Sequence, residues 1–127
     1  MPGPVLPDHC PPGDAGSAAG RFFRLASKDS VLGQAPGPAT WNLPILNQLR
    51  PADPTECDSY SHSVCPDIEP LRKARALSSW ARAKPICEFE IPDGCGLLLA
   101  TPGAYDSHHD WWPSPLDFVP DAVVKEA

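Results

Sequence analysis

Pro70-Leu71-Arg72-Lys73-Ala74-Arg75-Ala76-Leu77-Ser78-Ser79-Trp80-Ala81-Arg82-Ala83-Lys84-Pro85, continued by Ile86-Cys87-Glu88-Phe89-Glu90-Ile91-Pro92-Asp93-Gly94-Cys95-Gly96-Leu97-Leu98-Leu99-Ala100-Thr101, is the stretch that most constrains the fold. Asp67 and Glu69 lie before its start, Pro70 suits a first helical turn, Arg82 and Lys84 suit a last turn, and Pro85 stops it. Leu71, Ala74, Leu77, Trp80 and Ala81 recur at spacings of three and four. Arg72, Lys73, Arg75 and Arg82 fall largely elsewhere, so the spacing predicts a basic amphipathic helix over 70–84. Cys87 to Ile91 then alternates as a half-buried strand, Pro92-Asp93-Gly94 reads as a turn, and Cys95 to Thr101 returns as a second strand. A helix and a β-hairpin over 87–101 follow, with Phe89 and Ile91 placed to cover the stripe around Trp80.

Outside this window the sequence argues against a conventional core. The 127 residues include 18 prolines and 9 glycines with no repeat. Each proline removes a backbone donor and steers its predecessor out of the helical region. Residues 1–20 are Pro, Gly and Ala with scattered Asp and are expected to be disordered. Residues 21–69 are expected to be loosely structured, with short helices over Arg21–Leu32 and after Pro44. Residues 102–127 read as an acidic, aromatic, proline-rich tail with a short helix from Asp121 onward. The fold expected is mostly irregular or disordered around a small α+β kernel. The counterweight is 42% hydrophobic residues and four tryptophans, more than a solvated tail carries.

The net charge of −6 is segregated. Residues 70–84 carry five bases and no acid, whereas residues 85–127 carry eight acids against Lys125. One short basic segment in an acidic chain is not the wide basic face of a nucleic-acid binder, and none is expected as a partner. Attraction between the two parts of the chain is the simpler reading. The longest apolar run, Leu97-Leu98-Leu99-Ala100, is far short of a membrane span. Met1 to Pro7 has neither a basic nor an apolar leader region, so a cytoplasmic or nuclear location is expected, with Cys10, Cys57, Cys65, Cys87 and Cys95 reduced.

Cys57 and Cys65, like Cys87 and Cys95, are separated more widely than the close pairs of zinc sites, and unpaired thiols are the expectation. His108-His109-Asp110 is explained as well by a polar turn as by a metal, and no motif joins these residues to a nucleophile. No catalytic, cofactor or metal residue is assigned. The strongest candidate for contact is Asp110-Trp111-Trp112-Pro113-Ser114-Pro115-Leu116-Asp117-Phe118-Val119. Its acids keep the segment solvated while Trp111, Trp112, Leu116 and Phe118 offer anchors to a partner groove. The competing reading folds Trp111 and Trp112 back over the hairpin, with their acids facing the basic helix.

Glu69-Pro70-Leu71-Arg72, Ile91-Pro92-Asp93-Gly94, His108-His109-Asp110 and Trp112-Pro113-Ser114-Pro115-Leu116-Asp117-Phe118-Val119-Pro120-Asp121 together resemble the stretch of cytochromes P450 that precedes the haem-binding loop. The resemblance spans residues 69–121. It departs from the family where Ala122 replaces the arginine after Pro120-Asp121, where Pro70 enters the Glu-x-x-Arg helix, and where no Phe-x-x-Gly haem-cysteine motif follows. The resemblance implies at most a degenerate, non-catalytic fragment, because the thiolate that holds the iron is missing. The function expected from the residues is a small non-enzymatic interaction or regulatory protein. It would meet another protein through 110–119 or the helix 70–84, and its oligomeric state is left open.

Overall fold

Cys87, Phe89 and Ile91 alternate with Glu88 and Glu90, and in the computed structural model they form the strand the pattern predicts. The structure describes residues 5–47, 49–50, 52–103 and 107–127. In chain order the strands are β1 (Gly16–Ser17), β2 (Gly20–Leu25), β3 (His62–Val64), β4 (Ile86–Ile91), β5 (Gly96–Ala100), β6 (His109–Pro113) and β7 (Ala122–Glu126). Two short helices, α1 (Glu69–Leu77) and α2 (Ser79–Arg82), sit between β3 and β4. All strand pairs are antiparallel, in a four-stranded sheet of order β1-β5-β6-β3 and a three-stranded sheet of order β2-β4-β7.

This corrects the expectation of a mostly irregular or disordered chain with a small α+β kernel. The expected hairpin over 87–101 is also corrected, because β4 and β5 lie in different sheets. The turn at Pro92–Cys95 forms, with Gly94 at φ +80° and the Cys95 N–H donating to Pro92 O at 3.2 Å, but it carries the chain from one sheet to the other. β1 and β2 make the same crossing at Ala18-Ala19. Ala18 is fully buried there and its N–H donates to Gly96 O. A bridge between Phe23 and Cys65 joins β2 to the end of β3, so pairing runs continuously from one sheet into the other.

The segments read as disordered or helical at either end are strands. Residues 16–25 supply β1 and β2, and Phe22 and Phe23 point to opposite faces, as successive strand residues do. Phe22 enters a core with Val64, Cys87, Phe89, Ile91 and Trp111, whereas Phe23 and Leu25 pack against Cys65, Leu71 and Ile86 beneath α1. From Ala122 onward the chain forms β7. Its outer edge is met by Gly33 and Gln34, which exchange backbone hydrogen bonds with Val124 at 2.9 and 2.8 Å. Where a helix is expected after Pro44, the described residues form a 3-10 turn, Pro44–Leu46.

The prolines fit this fold because its elements are short. Pro70 occupies the first turn of α1, Pro38 and Pro44 open 3-10 turns, Pro85 and Pro92 flank β4, and Pro113 ends β6. At these positions the missing N–H costs little, and the fixed φ limits the freedom of the unfolded chain. The predicted helix 70–84 is interrupted at Ser78, whose backbone is extended at φ −125° and ψ 124°. Two adjacent serines favour such a break because their hydroxyls compete for nearby backbone groups.

Cys10 and Cys57 form a disulfide that ties the N-terminal arm to the loop before β3, which corrects the expectation of five reduced cysteines. Cys65, Cys87 and Cys95 are free thiols, the first two buried. Burial pushes the Cys87 thiol up to about 11.

Candidate functional site

The break at Ser78 determines what the two helices present. An unbroken helix would hold Leu77, Trp80 and Ala81 on one side. Instead Ala81 is fully buried, while Leu77 is 74% exposed and Trp80 59% exposed. Leu71 anchors α1 in the smaller core. The result is a knuckle, rooted by Leu71 and Ala81, that holds two large apolar side chains in solvent.

Beside the knuckle lies a cleft of about 270 Å³ lined by Arg24, Leu25, Ser63, Leu71, Trp80, Lys84 and His108. Leu25 and Leu71 give it an apolar lining beside the basic residues Arg24, Lys84 and His108. The Lys84 ammonium lies 5.3 Å from the Trp80 ring centroid, and the Arg24 guanidinium 5.4 Å from that of Trp41. Both are cation–π contacts that hold a charge near an aromatic wall. Arg24 Nη1 also donates to Ser63 O at 3.3 Å, and His108 Nδ1 lies 2.9 Å from Thr101 Oγ1.

The four basic residues singled out in the sequence divide by environment. Arg72 is held by Glu69 and Glu126, whose carboxylates raise its pKa, and Arg75 donates to Ala127 O at 2.7 Å. Lys73 and Arg82 are exposed on the knuckle beside Leu77 and Trp80. Spacing selected Arg72, which pairs with Glu69 and Glu126, and Arg75, which donates to Ala127 O, and left Arg24 and His108 out of the basic face. Arg24 and His108 lie far from the knuckle in sequence and reach the cleft only through the strand pairing.

Trp111 and Trp112 are not surface anchors. Trp111 is fully buried, stacks on Phe89 with centroids 5.8 Å apart, and donates its indole N–H to Cys95 O at 3.0 Å. Trp112 is 3% exposed on the opposite face of β6 and donates to Cys57 O at 2.7 Å. Phe118 meets the Trp111 ring edge-on, and Leu116 is half-buried. Asp110 accepts from the buried Ser61 hydroxyl at 2.8 Å, so it does not face the basic helix.

A more open hollow of about 570 Å³ is lined by Arg21, Glu88, Phe89, Glu90, Asp121, Ala122 and Val123. Glu88 there is paired with both Arg21 and Lys125, and Glu90 and Asp121 leave the lining net acidic. Among the described residues no helix is long and apolar enough to cross a membrane. No protein-family model, no curated protein and no solved structure matches the chain. The cytochrome P450 likeness therefore rests on its short runs alone, of which Glu69 and Arg72 do form an ion pair on α1.

Proposed function

We propose that this chain is a non-enzymatic binding module whose basic knuckle takes an acidic segment of a partner protein that also carries an aliphatic or aromatic side chain. The observation that carries this reading is the exposure of Leu77 (74%) and Trp80 (59%) on a knuckle that also carries Lys73, Arg82 and, over the Trp80 ring, Lys84, in a chain of net charge −6. A partner carboxylate would meet Lys84, and its apolar neighbour would cover Trp80 and Leu77. Aromatic anchors commonly supply most of such binding energy, while charges set orientation and association rate. A lipid surface is less well matched, since two exposed apolar side chains offer little area to bury.

The test is a titration of isotopically labelled protein with a decapeptide of alternating Glu and Leu, following the Trp80 indole N–H resonance assigned with Trp80→Phe. Shifts confined to Trp80 and its neighbours are expected, weakening with added salt and by tenfold or more in Lys84→Glu. A Lys/Leu peptide is expected to leave the spectrum unchanged. Equal response to both peptides, or undiminished binding by Lys84→Glu, would overturn the proposal. Stronger binding to anionic phospholipid vesicles than to the peptide would do the same and point to a membrane surface.

A further inference from the structure

The N-terminal arm brings a third metal-ligating side chain to the disulfide. A ring nitrogen of His9 and the sulfurs of Cys10 and Cys57 lie within 4.8 Å of one another. His9 Nε2 is 2.8 Å from Thr55 O. A carbonyl oxygen only accepts, so Nε2 carries the proton and the Nδ1 lone pair is left available. That is the arrangement in which metal-binding histidines are usually held, with the second ring nitrogen donating to a backbone carbonyl. The opposite side of the cluster is equally fixed, because Cys57 O accepts the indole N–H of the buried Trp112.

We propose that His9, Cys10 and Cys57 form a zinc site that is closed while the disulfide is intact and opens when it is reduced. A dithiol reductant supplies two electrons and two protons: the Cys10–Cys57 bond breaks, both sulfurs become thiols, and the reductant leaves as its own disulfide. Zinc then displaces the two thiol protons and binds two thiolates and His9 Nδ1. Tetrahedral zinc holds its sulfur ligands about 3.8 Å apart. The Cα atoms of Cys10 and Cys57, 5.3 Å apart, allow that separation without moving either backbone segment far. Two thiolates and an imidazole favour zinc over the oxygen-seeking magnesium or calcium. His9 is exposed, so water completes the fourth position. In this form the metal keeps the arm tied to the loop before β3 under conditions that open the disulfide.

The experiment uses the whole chain, reduced with a phosphine and titrated with zinc by calorimetry and with cobalt(II) by absorbance. Binding of one ion per chain is expected, with thiolate-to-cobalt charge transfer. No binding is expected to the oxidised chain or to the Cys10→Ser/Cys57→Ser double variant. His9→Ala is expected to weaken binding tenfold or more. It leaves the disulfide in place, so its circular dichroism in the oxidised form checks that the fold is unchanged. The inference is overturned if the reduced chain takes up no stoichiometric ion or if His9→Ala binds as tightly as the parent. Uptake by the double variant equal to that of the parent would also overturn it, by assigning the metal to Cys65, Cys87 or Cys95.

Discussion

His62 carries an acid-sensitive term in the stability of this fold. It lies on β3, is 1% exposed, and packs between the Trp41 and Trp111 rings, each with centroids 5.5 Å away. Among the described residues neither of its ring nitrogens has a hydrogen-bond partner. Burial, helped by the nearby Arg24 charge, lowers its pKa from 6.5 to about 2. Between those values the unfolded chain binds a proton that the folded chain does not, so stability falls as pH drops below the unfolded pKa. At pH 5 the loss relative to pH 8 is about 2 kcal/mol from this residue. Urea titrations across this range should show that slope in the parent, and His62→Leu should lose it. An equal slope in both proteins would assign the acid sensitivity elsewhere.

The residue scale also explains why Trp111 and Trp112 could be read two ways from the sequence. Two consecutive large side chains carry no alternation when a strand is covered on both faces, one by the core and the other by the loop holding Cys57. Nothing in the local pattern reveals that second cover, because it comes from residues some 55 positions away.

At the scale of elements, legibility followed alternation. β4 was readable because Cys87, Phe89 and Ile91 face the core while Glu88 and Glu90 do not. β2 was not, since Phe22 and Phe23 are adjacent and serve different cores. β7 was missed although Val123-Val124 is a β-branched pair, because three charged residues and two alanines surround it in a segment with no clear period. The helix over 70–84 was readable in its caps but not in its break at Ser78, and that break is what exposes Leu77 and Trp80. The crossing between sheets depends on Gly96. Its φ is +122°, and a Cβ there would lie 2.0 Å from Trp112 O and 2.9 Å from Trp111 Nε1. Gly96→Ala should therefore cost at least about 3 kcal/mol in thermal or urea unfolding. Gly94→Ala, at φ +80° with open space around it, should cost only about 1–2 kcal/mol. Similar losses at the two sites would mean that β5 and β6 are not packed as described.

Across the whole molecule, composition misled because it counts prolines without their positions. Eighteen prolines argue against long helices, and the longer described helix has nine residues, but short central strands form all the same: β4, β5 and β6 each pair on both sides, with the prolines at or beyond their ends. What the sequence could not display is pairing between distant segments. Phe22 meets Phe89, Cys65 meets Phe23, and Cys10 meets Cys57, and such contacts assemble both the core and the basic cleft. The charge segregation was visible, but its consequence changes. Among the described residues, the acids of the C-terminal third are spread over strands and loops, and only Glu126 reaches the basic helix, at Arg72.

The most direct test of the account is a set of amide-to-amide nuclear Overhauser contacts in labelled protein. The two-sheet fold predicts well-dispersed amides, a cross-strand contact between Phe23 and Cys65, and contacts along the β2–β4 register from Gly20–Ile91 to Leu25–Ile86. Narrow dispersion with sequential contacts alone, or a hairpin register between 87–91 and 96–100, would contradict it.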